Sequence, residues 1–162
     1  MTADKPNETT HNDQETKPAR KGVQAKISKQ IIGNIGMYYV CYRLSELGLN
    51  VMPTARNARG IDVLAYTPDG KEYVGIQVKT LSKRSPAGLG KNGKSGIMGD
   101  IWCIVVRGTT GEPKVFVMPS KVVSAHVEQK GDSSCWLNPK AYDDEQFLEK
   151  WNQIVSFKRR KR

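Results

Sequence analysis

The sequence predicts a single α/β domain, a central mixed β-sheet flanked by helices. Three observations carry this. Apolar residues recur at helical spacing over 28–47. A strand–turn–strand pattern follows, with runs 61–66 and 73–81 around the turn Pro68-Asp69-Gly70. Two further apolar runs, 101–106 and 114–118, then alternate with short helical segments. A length of 162 residues fits one domain plus tails. The expected boundaries are a polar tail 1–26, a domain 27–157 and a basic tail 158–162.

Residues 1–26 hold five basic and four acidic side chains and almost no apolar ones, so they cannot offset the entropy of ordering and are expected to be disordered. The helix over 28–47 rests on Ile32, Ile35, Tyr39, Val40, Leu44 and Leu47, with Ser28 as N-cap and Gly48 as its stop. Gly33 and Gly36 each weaken it by ~1 kcal/mol relative to alanine, which suggests close approach of another backbone or a ligand. Residues 49–52 read as a brief strand, and 53–60 as a polar loop.

Strands 61–66 and 73–81 form the central hairpin. Residues 82–99 are rich in Gly, Lys and Ser without periodicity, so a long functional or mobile loop is expected. Strands 101–106 and 114–118 are expected to pair across Gly108 and Gly111. Pro119-Ser120 opens a short helix to about residue 128, and Trp136-Leu137 reads as a brief strand. Asp143-Asp144 starts a last helix, its acids complementing the macrodipole, with Phe147, Leu148, Trp151, Ile154 and Val155 as its buried stripe.

Composition excludes several classes. No run approaches ~18 consecutive apolar residues, and no basic-then-apolar leader opens the chain, so a cytoplasmic protein is expected. Cys41, Cys103 and Cys135 are widely spaced, and only His11 and His126 could join them. A structural zinc site is therefore not expected, and the thiols read as reduced core residues. Trp102, Trp136 and Trp151 read as packing residues.

The net charge of +10 is uneven. Residues 158–162, Lys-Arg-Arg-Lys-Arg, supply +5 and read as an arm that adds non-specific nucleic-acid affinity. Between 51 and 99, Arg56, Arg59, Lys71, Lys79, Lys83, Arg84, Lys91 and Lys94 face only Asp62, Asp69 and Glu72. A nucleic acid is the expected partner of such a surface. Arg56, Arg59, Lys83, Arg84, Lys91 and Lys94 are the candidate phosphate contacts, against the plainer reading of a solvated surface. The pattern Gly88-x-Gly90-x-x-Gly93 lacks a strand-to-helix context and is not read as a dinucleotide fingerprint.

Strand parity picks out the candidate site. Side chains two apart share a face, so Val74, Ile76 and Val78 point into a core while Gln77 and Lys79 point the other way with Gly75. On the partner run, Asp62 is out of phase with Ile61, Val63 and Ala65. An ordinary register therefore brings Asp62, Gln77 and Lys79 to one side. An amide and an amine are expensive on a sheet covered on both faces, and a cleft for metal and phosphate would explain them. Pro68-Asp69 is assigned to the turn, where Asp and Gly have local conformational reasons to stand. Asp100 reads as a strand-start residue and His126 as a core or surface residue.

The pattern Asp62…Gln77-Val78-Lys79, on a hairpin that follows a helix, resembles the PD-(D/E)XK nuclease superfamily, or restriction-endonuclease-like fold. It is similar to the Asp…Gln-x-Lys variant of Mrr-type and Holliday-junction-resolvase-like nucleases. The resemblance covers about residues 30–120 by layout. The proline usual before the aspartate is replaced by Ile61. The resemblance implies metal-dependent phosphodiester hydrolysis with Mg²⁺ or Mn²⁺. Asp62, Gln77 and the Val78 carbonyl would be ligands, and Lys79 would act on the attacking water or the developing charge.

Many relatives carry a helix glutamate where Met37 stands after Gly33-Asn34-Ile35-Gly36. Glu46 lies roughly 14 Å further along, too far to replace it. An inactive nucleic-acid-binding module on the same fold is the alternative, and a protein-interaction module a third reading. A homodimer is possible for an enzyme that cuts two strands.

Overall fold

The computed structural model describes residues 27–54, 60–91, 93–107, 112–130 and 134–156. Both expected tails, the turn 108–111, Arg56 and Arg59 lie outside the described residues.

Helix α1, Lys29–Glu46, begins as expected: the Ser28 hydroxyl accepts the Ile31 N–H at 3.3 Å. Such caps contribute ~1 kcal/mol. Gly48 ends the helix at φ +78°, a conformation open to glycine without a Cβ penalty. The helix buries Gly36, Val40, Cys41 and Leu44. The two internal glycines differ. A Cβ on Gly36 would overlap the Thr80 side chain, whereas one on Gly33 would meet nothing within 4 Å. The expected close approach therefore belongs to Gly36, and it is to a side chain rather than to a backbone or ligand.

The strands are β1 (Asn50–Pro53), β2 (Val63–Tyr66), β3 (Tyr73–Leu81), β4 (Ala87–Gly90), β5 (Ile101–Val106), β6 (Lys114–Pro119), β7 (Val127–Lys130) and β8 (Ser134–Leu137). The main sheet has the order β1-β2-β3-β5-β6. The β3–β5 pair is parallel and the others antiparallel, so the sheet is mixed. A parallel pair needs a long crossover. Residues 82–100 provide it, and they are not the structureless loop expected. They hold β4 and a 3₁₀ turn, Gly93–Gly96, and β4 pairs with β8 in a second sheet of order β4-β8-β7.

Two more expectations are corrected. Helix α2, Ser120–Ala125, stops before β7, so residues 127–130 are strand. The single last helix is replaced by α3 (Pro139–Tyr142), an irregular stretch and α4 (Asn152–Val155). The irregular stretch contains a bridge from Leu148 to Phe116 and a left-handed Glu149 at φ +52°. Glu149 is held by three donors: Val115 N–H at 2.8 Å, Arg43 Nη1 at 3.2 Å and Trp151 Nε1 at 2.7 Å. Phe147, Trp151 and Ile154 are buried as expected, but Val155 is 48% exposed.

The main sheet separates two cores. On one face α1, Trp151 and Ile154 cover Val63, Ala65, Val74, Ile76, Ile101, Cys103, Val105, Val115 and Val117. On the other, the second sheet lays Ala87, Leu89, Cys135 and Leu137 over Trp102, Ile104, Phe116 and Met118. All three cysteines are free and buried. Burial pushes the Cys41 and Cys103 thiols up, which keeps them protonated and inert. Among the described residues no helix is long and apolar enough to cross a membrane.

Candidate active site

The second sheet stops short, and that boundary defines the site. It seals the β5–β6 half of the sheet face: Trp102, Ile104, Phe116 and Met118 are all at most 3% exposed. By strand alternation the same face of β2 and β3 carries Leu64, Tyr66, Gln77 and Lys79, and these are only half-buried. On β1 it carries Met52, which is 51% exposed. Gln77 lies beside Trp102 and Lys79 beside Ile104 in the β3–β5 register. Both polar residues therefore stand at the step where the covering layer ends.

Asp62 is fixed to this step through its backbone and its carboxylate. Its N–H donates to the Ile76 carbonyl at 2.8 Å, and its carbonyl accepts the Thr54 N–H at 2.9 Å. The Thr54 hydroxyl donates to the adjoining Ile61 carbonyl. Asp62 Oδ2 accepts from Gln77 Nε2 at 2.9 Å and from the Val78 N–H at 2.7 Å. Alternate peptide groups of β3 face β2. The pairing with β2 ends at the Val63–Ile76 rung, so the Asp62 carboxylate takes the next inward N–H in place of a strand carbonyl. The Val78 carbonyl shares that edge, beyond the last paired residue of β2.

Parity thus holds for β3, and Asp62, Gln77 and Lys79 occupy one side. It fails for Ile61. Strand β2 starts at Val63, and the Ile61 side chain folds over Gly75, where a Cβ would meet Ile61 Cδ1 at 2.8 Å. Lys79 is half-buried, and no carboxylate pairs with it among the described residues.

Asp100, Glu46 and Asp69 each carry hydrogen bonds or ion pairs of their own. Asp100 Oδ2 accepts the Gly75 N–H at 2.9 Å, and its own N–H donates to the Gly75 carbonyl at 2.7 Å, so it ties β5 to β3. Glu46 takes the Tyr42 hydroxyl at 2.7 Å and Arg43 Nε at 3.2 Å near the end of α1. Met37 packs against the core on the α1 side, the face opposite Gln77 and Lys79. Asp69 stays in its turn, where its carboxylate accepts the Lys71 N–H at 3.2 Å and pairs with Lys71 at 3.6 Å.

Among the described residues no three His, Cys, Asp or Glu side chains gather as a metal-binding group. The donors at the step are a carboxylate, an amide and a peptide carbonyl, the oxygen chemistry that Mg²⁺ and Mn²⁺ take. Asp62 Oδ2 and the amide tip of Gln77 are 2.9 Å apart. The amide oxygen and nitrogen exchange by a half-turn of the side chain. With its amide oxygen turned inward, Gln77 would offer a neutral oxygen beside the Asp62 carboxylate. Asp62, Gln77 and the Val78 carbonyl would suit a divalent ion, with Asp62 supplying the one formal negative charge.

The candidate phosphate contacts divide. Lys83 is exposed just past β3, and Arg84 is exposed but ion-paired with Asp143. Lys91 and Lys94 are exposed on β4's end and the 3₁₀ turn, on the covering layer rather than on the strands of the site. His126 is exposed, its Nδ1 2.9 Å from the Val122 carbonyl.

Sequence reasoning missed the residues that position Asp62. Thr54 anchors its backbone. Gly60 (φ +84°) and Gly99 (φ +76°) let the chain pass tightly there, since a Cβ on Gly99 would lie 3.0 Å from the Gly75 carbonyl and one on Gly60 would overlap Met98. The available signal was three glycines, Gly60 before β2, Gly75 within β3 and Gly99 before β5.

No protein-family profile matches the sequence, and no curated relative does. Among solved structures the fold is similar to Hjc, a Holliday junction resolvase from the archaeal hyperthermophile Archaeoglobus fulgidus. The TM-score is 0.51 at 14% identity, over 77% of this chain and 97% of that one. It is also similar to the bacterial homing endonuclease I-Ssp6803I, with a TM-score of 0.51 at 19% identity, over 79% of this chain and 91% of that one. At these identities the likeness is one of fold. The chain has the restriction-endonuclease-like architecture expected from its sequence, a fold that two nucleases use.

Proposed function

We propose that this chain is a metal-dependent endonuclease that hydrolyses DNA phosphodiester bonds. The observation that carries the reading is the Asp62–Gln77–Val78 cluster beside Lys79 on the open half of the sheet face. Asp62, Gln77 and the Val78 carbonyl would hold Mg²⁺ or Mn²⁺. When bound, the ion would lower the pKa of a water molecule and stabilise charge on the phosphate oxygens.

The chain's own residues do the rest. Asp62 brings the one negative charge to the cluster. Thr54 and Ile76 hold its backbone against the field of an approaching phosphate. Gln77 adds a neutral donor, which limits repulsion of an anionic substrate. Lys79 has no competing carboxylate among the described residues, so its ammonium is available to a phosphate or to the nucleophile. Lys83 and Arg84, with Lys91 and Lys94 on the second layer and Arg56 and Arg59 in the sequence before Asp62, would contact the DNA backbone.

The test is cleavage of plasmid, linear duplex and four-way-junction DNA with Mg²⁺ or Mn²⁺. Asp62→Ala and Lys79→Ala should each lower the rate by about 10²–10³-fold or more while DNA binding persists. Cleavage that survives both substitutions overturns the reading.

A non-catalytic DNA-binding module is the second reading, favoured by one observation: Met37, partly buried against the core on the α1 side, supplies no acid, and no group of three metal-binding side chains forms among the described residues. It predicts salt-sensitive DNA binding with no metal-dependent cleavage of any of the three substrates. Under either reading, residues 27–157 form the folded unit and the segments on either side are tails. A homodimer remains part of the enzymatic proposal, checked by sedimentation of the full chain with and without DNA.

A further inference from the structure

The two ends of the site strands carry opposite charge. At the hairpin end, Asp69 and Glu72 outnumber Lys71, and Lys71 pairs with Asp69 at 3.6 Å. At the other end, Lys83 and Arg84 past β3, Arg107 past β5 and Lys114 at the start of β6 border a cavity of about 390 Å³. Glu112 and Asp143 border it too, and Asp143 is ion-paired with Arg84. That leaves Lys83, Arg107 and Lys114 facing Glu112, an excess of two positive charges. Among the described residues none of these three cations has an ion-pair partner.

The cavity opens on the same side of the sheet as the candidate site. Val106 and Phe116 in its wall belong to the core under the second sheet, and Lys114 stands opposite Val106 in the register. Leu81 stands beside Val106, two residues on from Lys79. Strand geometry therefore puts Lys114 about 12 Å from Lys79, one same-face step along and two strands across. Projected on the duplex axis, that span covers three to four base-pair rises of ~3.4 Å, enough to reach another phosphate of the same strand. Apolar walls beside unpaired cations concentrate the positive field at such a place.

We propose that this cavity binds a backbone phosphate of the DNA through Arg107 and Lys114, with Lys83 beside them. The bound strand then leaves the candidate site over the carboxyl ends of β3 and β5, not over the Asp69 hairpin. The proposal rests on the DNA-directed reading of the site, but not on catalysis.

The test is equilibrium binding of the full-length chain to a fluorescein-labelled duplex in EDTA, read by anisotropy across a salt series. Without a divalent metal no cleavage interferes. The double variant Arg107→Ala/Lys114→Ala should lower affinity at least tenfold at low salt. It should also make the slope of log K against log salt shallower by about 1, the change expected for one lost phosphate contact. Lys114→Ala alone, at an exposed residue whose loss leaves the fold intact, should give about half that change, and Lys71→Ala at the hairpin none.

An unchanged slope and affinity in both cavity variants overturns the proposal, and so does a Lys71→Ala loss as large as theirs. A shallower slope in a chain that cleaves no DNA upholds the cavity and sinks the nuclease reading. Cleavage lost on Asp62→Ala, with the slope unmoved by the cavity variants, does the reverse.

Discussion

One face of the five-stranded sheet has two unlike halves. Over β5 and β6 the second sheet seals Trp102, Ile104, Phe116 and Met118, the first of them 1% exposed. One strand away, Gln77 and Lys79 occupy the same face at the same two-residue period, half-buried and beside Asp62. The backbone is the same kind of strand in both places, so the difference lies in the cover. In the sealed half an unpaired amide or ammonium would lose its hydration with nothing in return, at a cost of several kcal/mol. In the open half the same groups keep water or meet a ligand. Polar side chains are thus tolerated where a layer ends, and Gln77 and Lys79 stand at the edge of the second sheet.

The largest expected effect separates the halves by function. Asp62→Ala and Lys79→Ala should each remove about 10²–10³-fold or more of any metal-dependent cleavage. Lys79→Ala should leave the urea midpoint nearly unchanged, whereas Asp62→Ala also frees the Val78 N–H and should cost about 1–2 kcal/mol. Trp102→Ala in the sealed half should do the opposite. It should destabilise by ~3–5 kcal/mol in urea titration, since a fully buried aromatic would leave a cavity between the two sheets. Truncating Leu64, half-buried on the open half, should cost only ~1 kcal/mol. If Leu64→Ala and Trp102→Ala cost the same, the two halves are not differently covered.

The pair of glycines in α1 sharpens the contrast on the opposite face. Gly36→Ala should destabilise by ~1–3 kcal/mol, because the added methyl collides with Thr80, next to Lys79 on β3. Gly33→Ala, in open space, should stabilise by ~0.5–1 kcal/mol through helix propensity alone. Thermal midpoints of the two variants must move in opposite directions.

The smallest effect concerns Asp69. The Thr67 hydroxyl and then the Lys71 N–H hold its carboxyl below the ordinary carboxylate range. A group whose folded pKa is depressed adds stability above its unfolded pKa, and that stability is lost as pH falls through the folded value. Asp69→Asn should therefore lower the thermal midpoint slightly at pH 7, and the gap to the parent should close as pH falls below the ordinary carboxylate range. A gap that persists in acid would assign the effect to turn geometry instead of charge.

Much of the fold was legible where local and tertiary demands agree. Strand 73–81 alternates apolar and polar residues, and β3 has those limits in the structure. Ser28 and Gly48 bracket α1 because a hydroxyl and a Cβ-free residue satisfy helix ends locally. The errors fall where a distant partner overrides weak local preference. Ala87-Gly88-Leu89-Gly90 has little strand propensity, yet it pairs with β8, buries Ala87 and Leu89, and sets Gly88 against Trp136. Residues 127–130 hold one apolar side chain, and β8 makes them a strand. The helical stripe over 143–155 is broken at Glu149, whose carboxylate is drawn to β6, α1 and Trp151.

By itself, then, the sequence determined a restriction-endonuclease-like α/β core, the hairpin bearing Asp62, Gln77 and Lys79, and the side of β3 on which the last two stand. A two-residue period and a turn are local properties of a strand and can be read from order alone. Only the tertiary structure decided that Asp62 receives the Val78 N–H where β2 ends, that the Asp100 carboxylate is tied to the Gly75 N–H, and that the covering sheet stops one strand short of Lys79. Those facts depend on contacts between segments far apart in the chain, such as 25 residues from Gly75 to Asp100. Such contacts form only when burial over the whole domain outweighs the entropy of bringing the segments together.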